Sequence, residues 1–213
     1  NKKFGEHNFS LMGGYESYYS FFESEGASSD NLTLTSYPYL DLANSNYLTA
    51  NGNAYEYASR SYFGRIIYDY KNKYLLQANA RYDGSSRFDR NYRWGFFPSF
   101  PAGWVMSSES FLKDFDKLSF LKLRASWGSL GNERIGNYPY QSTIAFGKNI
   151  EFKGNTPTSA QTAAITKYAI KDISWETTES VDLGIDASFF NSKLGFTFDY
   201  YDNFGAETLD KNV

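Results

Sequence analysis

Residues 181–201 read VDLGIDASFFNSKLGFTFDYY, and this stretch indicates the fold class. Apolar and polar side chains alternate from Val181 to Phe189, and the alternation resumes at Leu194. A two-residue turn at Asn191-Ser192 would form four apolar pairs: Phe189 with Leu194, Ala187 with Phe196, Ile185 with Phe198, and Leu183 with Tyr200. The stretch therefore predicts an antiparallel hairpin with one apolar and one polar face. Its apolar face must be covered by a packed core or by lipid.

Composition excludes several classes of protein. Among 213 residues there are 19 Tyr and 19 Phe, more aromatic side chains than a core of this size needs, although the mean hydropathy is only −0.54. The apolar residues form alternating runs and no long continuous one, so we expect no transmembrane helix. Zero Cys excludes a disulfide framework and a thiolate metal site, and a net charge of −3 gives no reason to expect nucleic-acid binding. The chain begins at Asn1 without a signal peptide, so we expect a processed chain or a fragment.

The same alternation predicts seven strands and almost no helix. They are expected at about residues 7–19, 61–70, 74–87, 93–107, 119–128, 181–189 and 194–201, and residues 138–146 could form another. A turn at Lys71-Asn72-Lys73 would pair Tyr70 with Tyr74, Tyr68 with Leu76, Ile66 with Ala78, and Tyr62 with Tyr82.

The connections alternate between long and short. Long links at about 21–60 and 129–178, with a shorter one near 88–92, fall at one end of the predicted sheet. Short turns at 71–73 and 191–193, with a modest link at 108–118, fall at the other end, and this pattern is typical of outer-membrane barrels. Tyrosines lie at strand ends, where aromatic girdles occur: Tyr62, Tyr68, Tyr70, Tyr74 and Tyr82. An ordinary half-buried antiparallel sheet is the alternative. Single-chain bacterial barrels have even strand numbers, so seven strands suggest an arc of a larger barrel.

Eight stretches occur in a characteristic order: SYFGRIIYDYKNKYLLQANARYDGSSRF (61–88), RWGFFPS (93–99), AGW (102–104), LKLRASWG (121–128), GN (131–132), IGNYPY (135–140), WETT (175–178) and FFN (189–191). In this order and spacing they resemble the SusC/RagA family of TonB-dependent outer-membrane receptors. The resemblance covers about residues 60–205, and residues 1–60 fit as a preceding strand and a divergent loop.

The resemblance implies an all-β, antiparallel transmembrane β-barrel in the bacterial cell outer membrane. This chain would be an arc of about 7–9 strands of a barrel with about 22 strands, and we expect the plug domain to be absent from residues 1–213. Such receptors import oligosaccharides or peptides with a SusD-like lipoprotein, and the TonB complex energises them through the plug. The resemblance implies no cofactor and no enzymatic activity.

Candidate site residues follow from these expectations. The lipid-facing residues are predicted to be Leu121, Leu123, Trp127, Leu183, Ile185, Phe196 and Phe198. The long link 21–60 is rich in tyrosine, which suits stacking on sugars or packing on a partner, and its candidate contact residues are Tyr37, Tyr39, Tyr47, Tyr55 and Tyr57. Asp83 and Arg87 could also contact ligand at the barrel mouth. Alternatively, Gly84 bends the strand and Arg87 pairs with a neighbouring carboxylate.

Catalytic and metal-binding constellations are sparse. His7 is the single histidine, so a histidine-based triad or zinc site would depend on it alone, and we expect it to be structural. Asp182, Asp186 and Asp199 share one face of the last hairpin and could be glycosidase carboxylates, but a solvated lumen wall is the expected role. The alternative functions are a soluble secreted β-sandwich carbohydrate-binding module and, less favoured, a membrane-embedded hydrolase.

Overall fold

A computed structural model describes residues 1–30, 32, 34–113, 115–152 and 158–205. Ten strands occur in this part of the chain: β1 Lys2–Phe4, β2 His7–Ser29, β3 Leu48–Tyr70, β4 Tyr74–Ser85, β5 Trp94–Val105, β6 Leu118–Asn132, β7 Thr143–Phe152, β8 Thr158–Lys167, β9 Glu176–Phe189 and β10 Leu194–Phe204. Its helical segments are short 3-10 turns, at Leu40–Leu42, Ser45–Tyr47, Met106–Ser108 and Ser110–Leu112. None of these helical segments in the described residues is long and apolar enough to cross a membrane.

Eight of the strands form one sheet in the order β1-β2-β3-β4-β5-β6-β9-β10, and β7 and β8 form a separate antiparallel pair. Among the described residues, 1–17 with 59–205 form one compact unit and 18–58 form another. The strand pairs β1–β2, β3–β4, β4–β5, β5–β6, β6–β9 and β9–β10 are all antiparallel. The connections between them therefore lie at alternating ends of the sheet. In this sheet, β6 and β9 are the only neighbours that are not consecutive in the chain, because β7 and β8 lie between them in sequence.

Both predicted hairpins have the predicted register. β9 and β10 pair Phe189 with Leu194, and the register continues to Leu183 and Tyr200. The backbone N–H of Lys193 donates to the carbonyl of Phe190 at 3.3 Å, which closes the turn. Asn191 and Ser192 have positive φ angles of 54° and 61°, as a type I′ turn requires.

The β3–β4 hairpin is closed in a similar way. Tyr70 pairs with Tyr74 and Tyr62 with Tyr82, as predicted. Lys71 and Asn72 both have positive φ angles. The Asn72 backbone N–H donates to the Asp69 carboxylate at 2.7 Å, which holds the turn in place.

The predicted long links are shorter than expected because the strands beside them are longer. β2 runs to Ser29 and β3 begins at Leu48, so most of 21–60 is strand and not loop. β6 and β9 likewise shorten the predicted link 129–178 to 133–175, and this link contains the β7–β8 hairpin. The candidate strand at 138–146 is displaced, since β7 begins at Thr143. A transmembrane β-strand needs about 9–11 residues, so the 23-residue strands β2 and β3 are longer than one crossing requires.

Two rows of aromatic rings lie on one face of the unit that contains residues 59–205. One row joins His7, Tyr70, Tyr74 and Trp104, with centroids 4.6, 6.2 and 6.3 Å apart. The other row joins Tyr15 to Tyr62 at 5.1 Å, Tyr62 to Trp94 at 6.1 Å, and Trp94 to Tyr82 at 4.8 Å. Along β3, Tyr62 and Tyr70 are separated by about 26 Å at about 3.3 Å per residue. Outer-membrane barrels have an apolar band of about 25 Å between two aromatic girdles.

Candidate functional site

The apolar face of the sheet is exposed. Cross-strand pairing places Leu123 opposite Ile185 and Ile185 opposite Phe198, so the three side chains share one face. The predicted lipid-facing residues all lie on this face: Leu121, Leu123 and Trp127 are half-buried, and Leu183, Ile185, Phe196 and Phe198 are 50%, 40%, 56% and 55% exposed. Among the described residues, the buried apolar side chains are only Phe88, Phe97 and Ala187. This sheet therefore does not bury its apolar face in a core, and contact of these side chains with lipid stays a prediction.

The opposite face carries an ion cluster centred on Arg124 of β6. The Arg124 guanidinium donates to the two oxygens of Asp186 at 2.8 and 3.2 Å, and to Asp199 at 2.7 Å. Asp182 lies 4.0 Å from the same guanidinium. The three carboxylates predicted to share this face are therefore held by one arginine. Sequence reasoning missed Arg124 because its contact depends on the pairing of β6 with β9, which are distant in sequence.

Gly184 makes this cluster possible. It lies between Arg124 and Asp199 in the cross-strand row from β6 through β9 to β10. A Cβ atom at Gly184 would meet the Arg124 Cζ at 2.6 Å and would also collide with the Asp199 carboxylate. The missing side chain lets the guanidinium pass across β9 to the far strand.

A polar network covers the same face further along the sheet. Asn79 of β4 accepts from Arg65 of β3 at 2.9 Å and from Gln77 at 2.9 Å, and its amide donates to Ser99 of β5 at 2.8 Å. A hollow of about 470 Å³ has Arg65, Asn79 and Ser99 in its lining. Hydrogen-bonding groups of this kind suit a wall that meets water or a polar solute.

The buried rings of Phe88 and Phe97 and the half-buried ring of Trp175 form an aromatic cluster near the start of β5. The Trp175 ring lies 5.3 Å from each phenylalanine ring, and its Nε1–H donates to the Arg93 carbonyl at 2.9 Å. A Cβ at Gly131 would collide with the Phe97 ring, so this cluster requires glycine on β6. The cluster holds the end of the link 133–175, at Trp175, against the link 86–93. No local sequence pattern predicts this contact.

The predicted ligand residues Asp83 and Arg87 both have protein partners. The Arg81 Nε–H is shared between the two carboxylate oxygens of Asp83, each 2.8 Å away, and the Arg81 guanidinium also donates to Glu16 at 3.2 Å. Arg87 donates to the Glu133 backbone carbonyl at 3.0 Å. Ligand contact by Asp83 or Arg87 stays a prediction.

The five predicted contact tyrosines all lie in the unit 18–58, but in two settings. Tyr37, Tyr39 and Tyr47 are exposed and lie in or beside the 3-10 turns between β2 and β3. Tyr55 and Tyr57 instead lie on β3, contrary to the expected loop. There the Tyr55 ring stacks on Phe22 at 4.8 Å, and the Tyr57 ring lies 5.8 Å from Tyr18. Sequence reasoning missed Tyr18 and Phe22, which lie before or at the start of the predicted link.

The Glu109 carboxylate accepts three hydrogen bonds at the short-turn end of the sheet. It accepts from the Lys73 Nζ at 3.0 Å, the Tyr74 hydroxyl at 2.8 Å and the Trp104 Nε1 at 3.3 Å. The hydrogen bond from Lys73, followed by those from Tyr74 and Trp104, lowers the pKa of Glu109 below its ordinary value. The turn after β5 thereby satisfies the polar atoms of two rings in the first aromatic row.

His7 takes part in ring packing. Its Nδ1 lies 2.9 Å from the Tyr68 hydroxyl oxygen, and its ring lies 4.6 Å from that of Tyr70. The single histidine of the chain thus lies at the start of β2 among aromatic side chains. This environment is consistent with a structural role.

Comparisons with known proteins agree with this arrangement. The family model described as TonB dependent receptor-like, beta-barrel matches residues 2–204. TonB-dependent receptor P3 of Formosa agariphila is 36% identical over 205 residues, which cover 94% of this chain and 20% of that protein. TonB-dependent receptor SusC of Bacteroides thetaiotaomicron is 38% identical over 153 residues, which cover 68% of this chain and 15% of SusC.

Solved structures give the same result. The RagAB peptide importer in its closed-closed state matches 95% of this chain and 22% of its own chain, with 26% identity and a TM-score of 0.82. Its open-open state matches 93% of this chain and 21% of its own, with 27% identity and a TM-score of 0.79. The chain therefore spans about a fifth of the length of these proteins, and its sheet is an arc of a larger barrel.

Proposed function

This chain belongs to the TonB-dependent receptor β-barrel family, and on that basis we propose that the whole protein is an outer-membrane transporter for oligosaccharides or peptides. The barrel wall formed by this chain does no bond chemistry. It separates lipid from a polar lumen, and its long connections take part in capture at the cell surface.

One observation carries this proposal. The sheet has an exposed apolar face bounded by two aromatic rows, while the opposite face holds ion pairs and a polar network. In water, so large an apolar surface would associate or aggregate. In an outer membrane the same surface is a lipid seal, and the polar face lines the transport path.

Partners and cargo follow from the relatives. RagAB is described as a peptide importer, and SusC is a TonB-dependent receptor. We extend this to a SusD-like surface lipoprotein as the partner, and to the TonB complex, acting through a plug domain, as the source of energy. Outer-membrane lipid surrounds the barrel.

The test uses the full receptor in its own bacterium. Deletion of its gene should abolish growth on one oligomeric nutrient, and deletion of TonB should have the same effect on that nutrient. A tagged receptor should sediment with outer membranes and co-purify with a lipoprotein. A receptor recovered from the soluble fraction, or growth that does not depend on TonB, would contradict the proposal.

A further inference from the structure

The apolar face of the sheet contains a furrow that begins between two alanines. Ala102 of β5 is paired with Ala125 of β6, and both side chains are exposed. The pairs on either side of them on this face carry bulky side chains: Trp104 with Leu123, and Phe100 with Trp127. Because a methyl group is much shorter than a ring or a leucine side chain, the two alanines form the floor of a depression between higher walls.

The furrow continues from the alanines over β9 to β10. Ala125 is paired with Leu183, and Leu183 with Tyr200. A hollow of about 520 Å³ follows this line, and its lining also includes Trp104, Leu123, Ile185 and Phe198. This volume lies within the range of about 300–1,000 Å³ that is usual for sites that bind small molecules.

The floor of the furrow does not depend on the edge of the sheet. One edge strand is β10, and further strands of a barrel would adjoin it there. Ala102 and Ala125 lie instead on β5 and β6, which are paired on both sides within the sheet. Strands beyond β10 therefore cannot fill the floor.

The furrow slants from the short-turn end of the sheet into the apolar band. Trp104 is the residue before the end of β5 and stacks on Tyr74 in the aromatic row at that end. Tyr200 lies six residues beyond the start of β10, about 20 Å along the strand at about 3.3 Å per residue. In a membrane, the Trp104 end would lie at the level of the lipid headgroups and the Tyr200 end well inside the hydrocarbon. A phospholipid chain follows the same course.

The shape and chemistry of the furrow favour a narrow, flexible and apolar occupant. Lipid and apolar side chains are equally apolar, so binding within hydrocarbon depends on van der Waals packing. An unfilled gap loses the dispersion contacts of the side chains that line it. An acyl chain can bend at each C–C bond, so it can reach the two alanines and follow the slant between the walls.

We propose that this furrow binds one acyl chain of a phospholipid from the periplasmic leaflet of the outer membrane. Trp104 lies at the level of the headgroup, and Ala102 and Ala125 lie under the chain. The short turns of such barrels face the periplasm, which is why we assign this leaflet. The inference rests on the proposed function in the outer membrane, and it adds one defined lipid site to the general lipid contact of the barrel. Lipid A of the outer leaflet and a second copy of the receptor are the competing occupants.

The experiment uses the full receptor in detergent and counts bound lipid by native mass spectrometry as dioleoyl phosphatidylethanolamine is added. The wild-type receptor should bind one molecule more tightly than all others. Ala102→Leu and Ala125→Leu each fill the floor and should weaken that first binding step by about three- to tenfold, because the chain loses its packing contacts.

Ala80→Leu is the matched control. Ala80 is exposed on the same face, but it is paired with Gly64 and Pro98, outside the furrow. The same added volume should therefore leave the first binding step unchanged. The temperature at which the folded form is lost on heated gels checks that all variants are folded.

Four results would overturn the proposal: no tight first phospholipid on the wild-type receptor, equal binding by Ala102→Leu, an equal loss with Ala80→Leu, or preferential retention of lipid A. A receptor dimer that closes the furrow would also overturn it. In each of these cases, a receptor that sediments with outer membranes and supports TonB-dependent growth would still support the transport function.

Discussion

At the scale of single residues, the contact between Arg124 and Asp199 depends on the missing side chain of Gly184. Its alanine variant must displace Arg124 from Asp199, since the new methyl group would occupy the space of the guanidinium. We expect Gly184→Ala to destabilise the folded receptor by at most about 1 kcal/mol, because the atoms that must move belong to the flexible, partly exposed side chains of Arg124 and Asp199. Gly195→Ala is the control, because its Cβ would meet nothing within 4 Å. The temperature at which the folded form is lost on heated gels measures both, and equal temperatures would show that Arg124 relocates freely.

Glu109 gives the fold a dependence on pH. Because its pKa is lowered in the folded state, its carboxylate stabilises the fold above the unfolded pKa of about 4.3, and this stabilisation is lost as pH falls through the folded pKa. Glu109→Gln should therefore lower the unfolding temperature at neutral pH and have little effect in strong acid. Glu6→Gln, which removes an exposed pair with Lys71, should have little effect at neutral pH. A Glu109→Gln effect of constant size at all pH values would show that charge is not the cause.

At the scale of the strand, alternate residues of β6 should differ in their tolerance of substitution. Leu123→Arg would place a charge in hydrocarbon and should cost about 2–4 kcal/mol if the site is near the bilayer midplane. Lys122→Ala, on the polar face, should cost much less. Folding of the full receptor into liposomes measures both variants, and similar losses would contradict the lipid-facing assignment of Leu123.

Strands were predictable from sequence where lipid and lumen impose alternation, and less so elsewhere. The registers of residues 62–82 and 183–200 are confirmed, as are the all-β class and the SusC/RagA resemblance. The far ends of β2 and β3 were missed because residues 23–29 lack apolar alternation, and because the alternation in residues 48–54 is carried mostly by small side chains. Arg124 and Trp175 were missed for another reason: their contacts join segments about 60 to 80 residues apart, whereas alternation is a local signal.

At the scale of the whole molecule, the exposed apolar face determines how the receptor behaves in solution. Side chains such as Phe196, Phe198 and Tyr200 are each more than half exposed in this chain. We expect the native receptor to partition with outer membranes and to need detergent for extraction, because water cannot cover such a band without aggregation. A monodisperse receptor without detergent would support the soluble β-sandwich alternative. Sedimentation of membrane fractions, followed by light scattering with and without detergent, distinguishes the two.

The connection between β2 and β3 should govern capture without being needed for folding. Replacing residues 34–47 by a short Gly-Ser link changes the entropy of loop closure only slightly, by about 0.6 kcal/mol per doubling of length, so the barrel should still fold. Because Tyr37, Tyr39 and Tyr47 are lost with the segment, we expect weaker growth on the cognate nutrient or poorer recovery of the lipoprotein. Substituting only these three tyrosines by serine, with the length kept, separates their chemistry from loop length. If growth and lipoprotein recovery are unchanged at normal receptor abundance, the segment acts as a cap and the tyrosines have no part in capture.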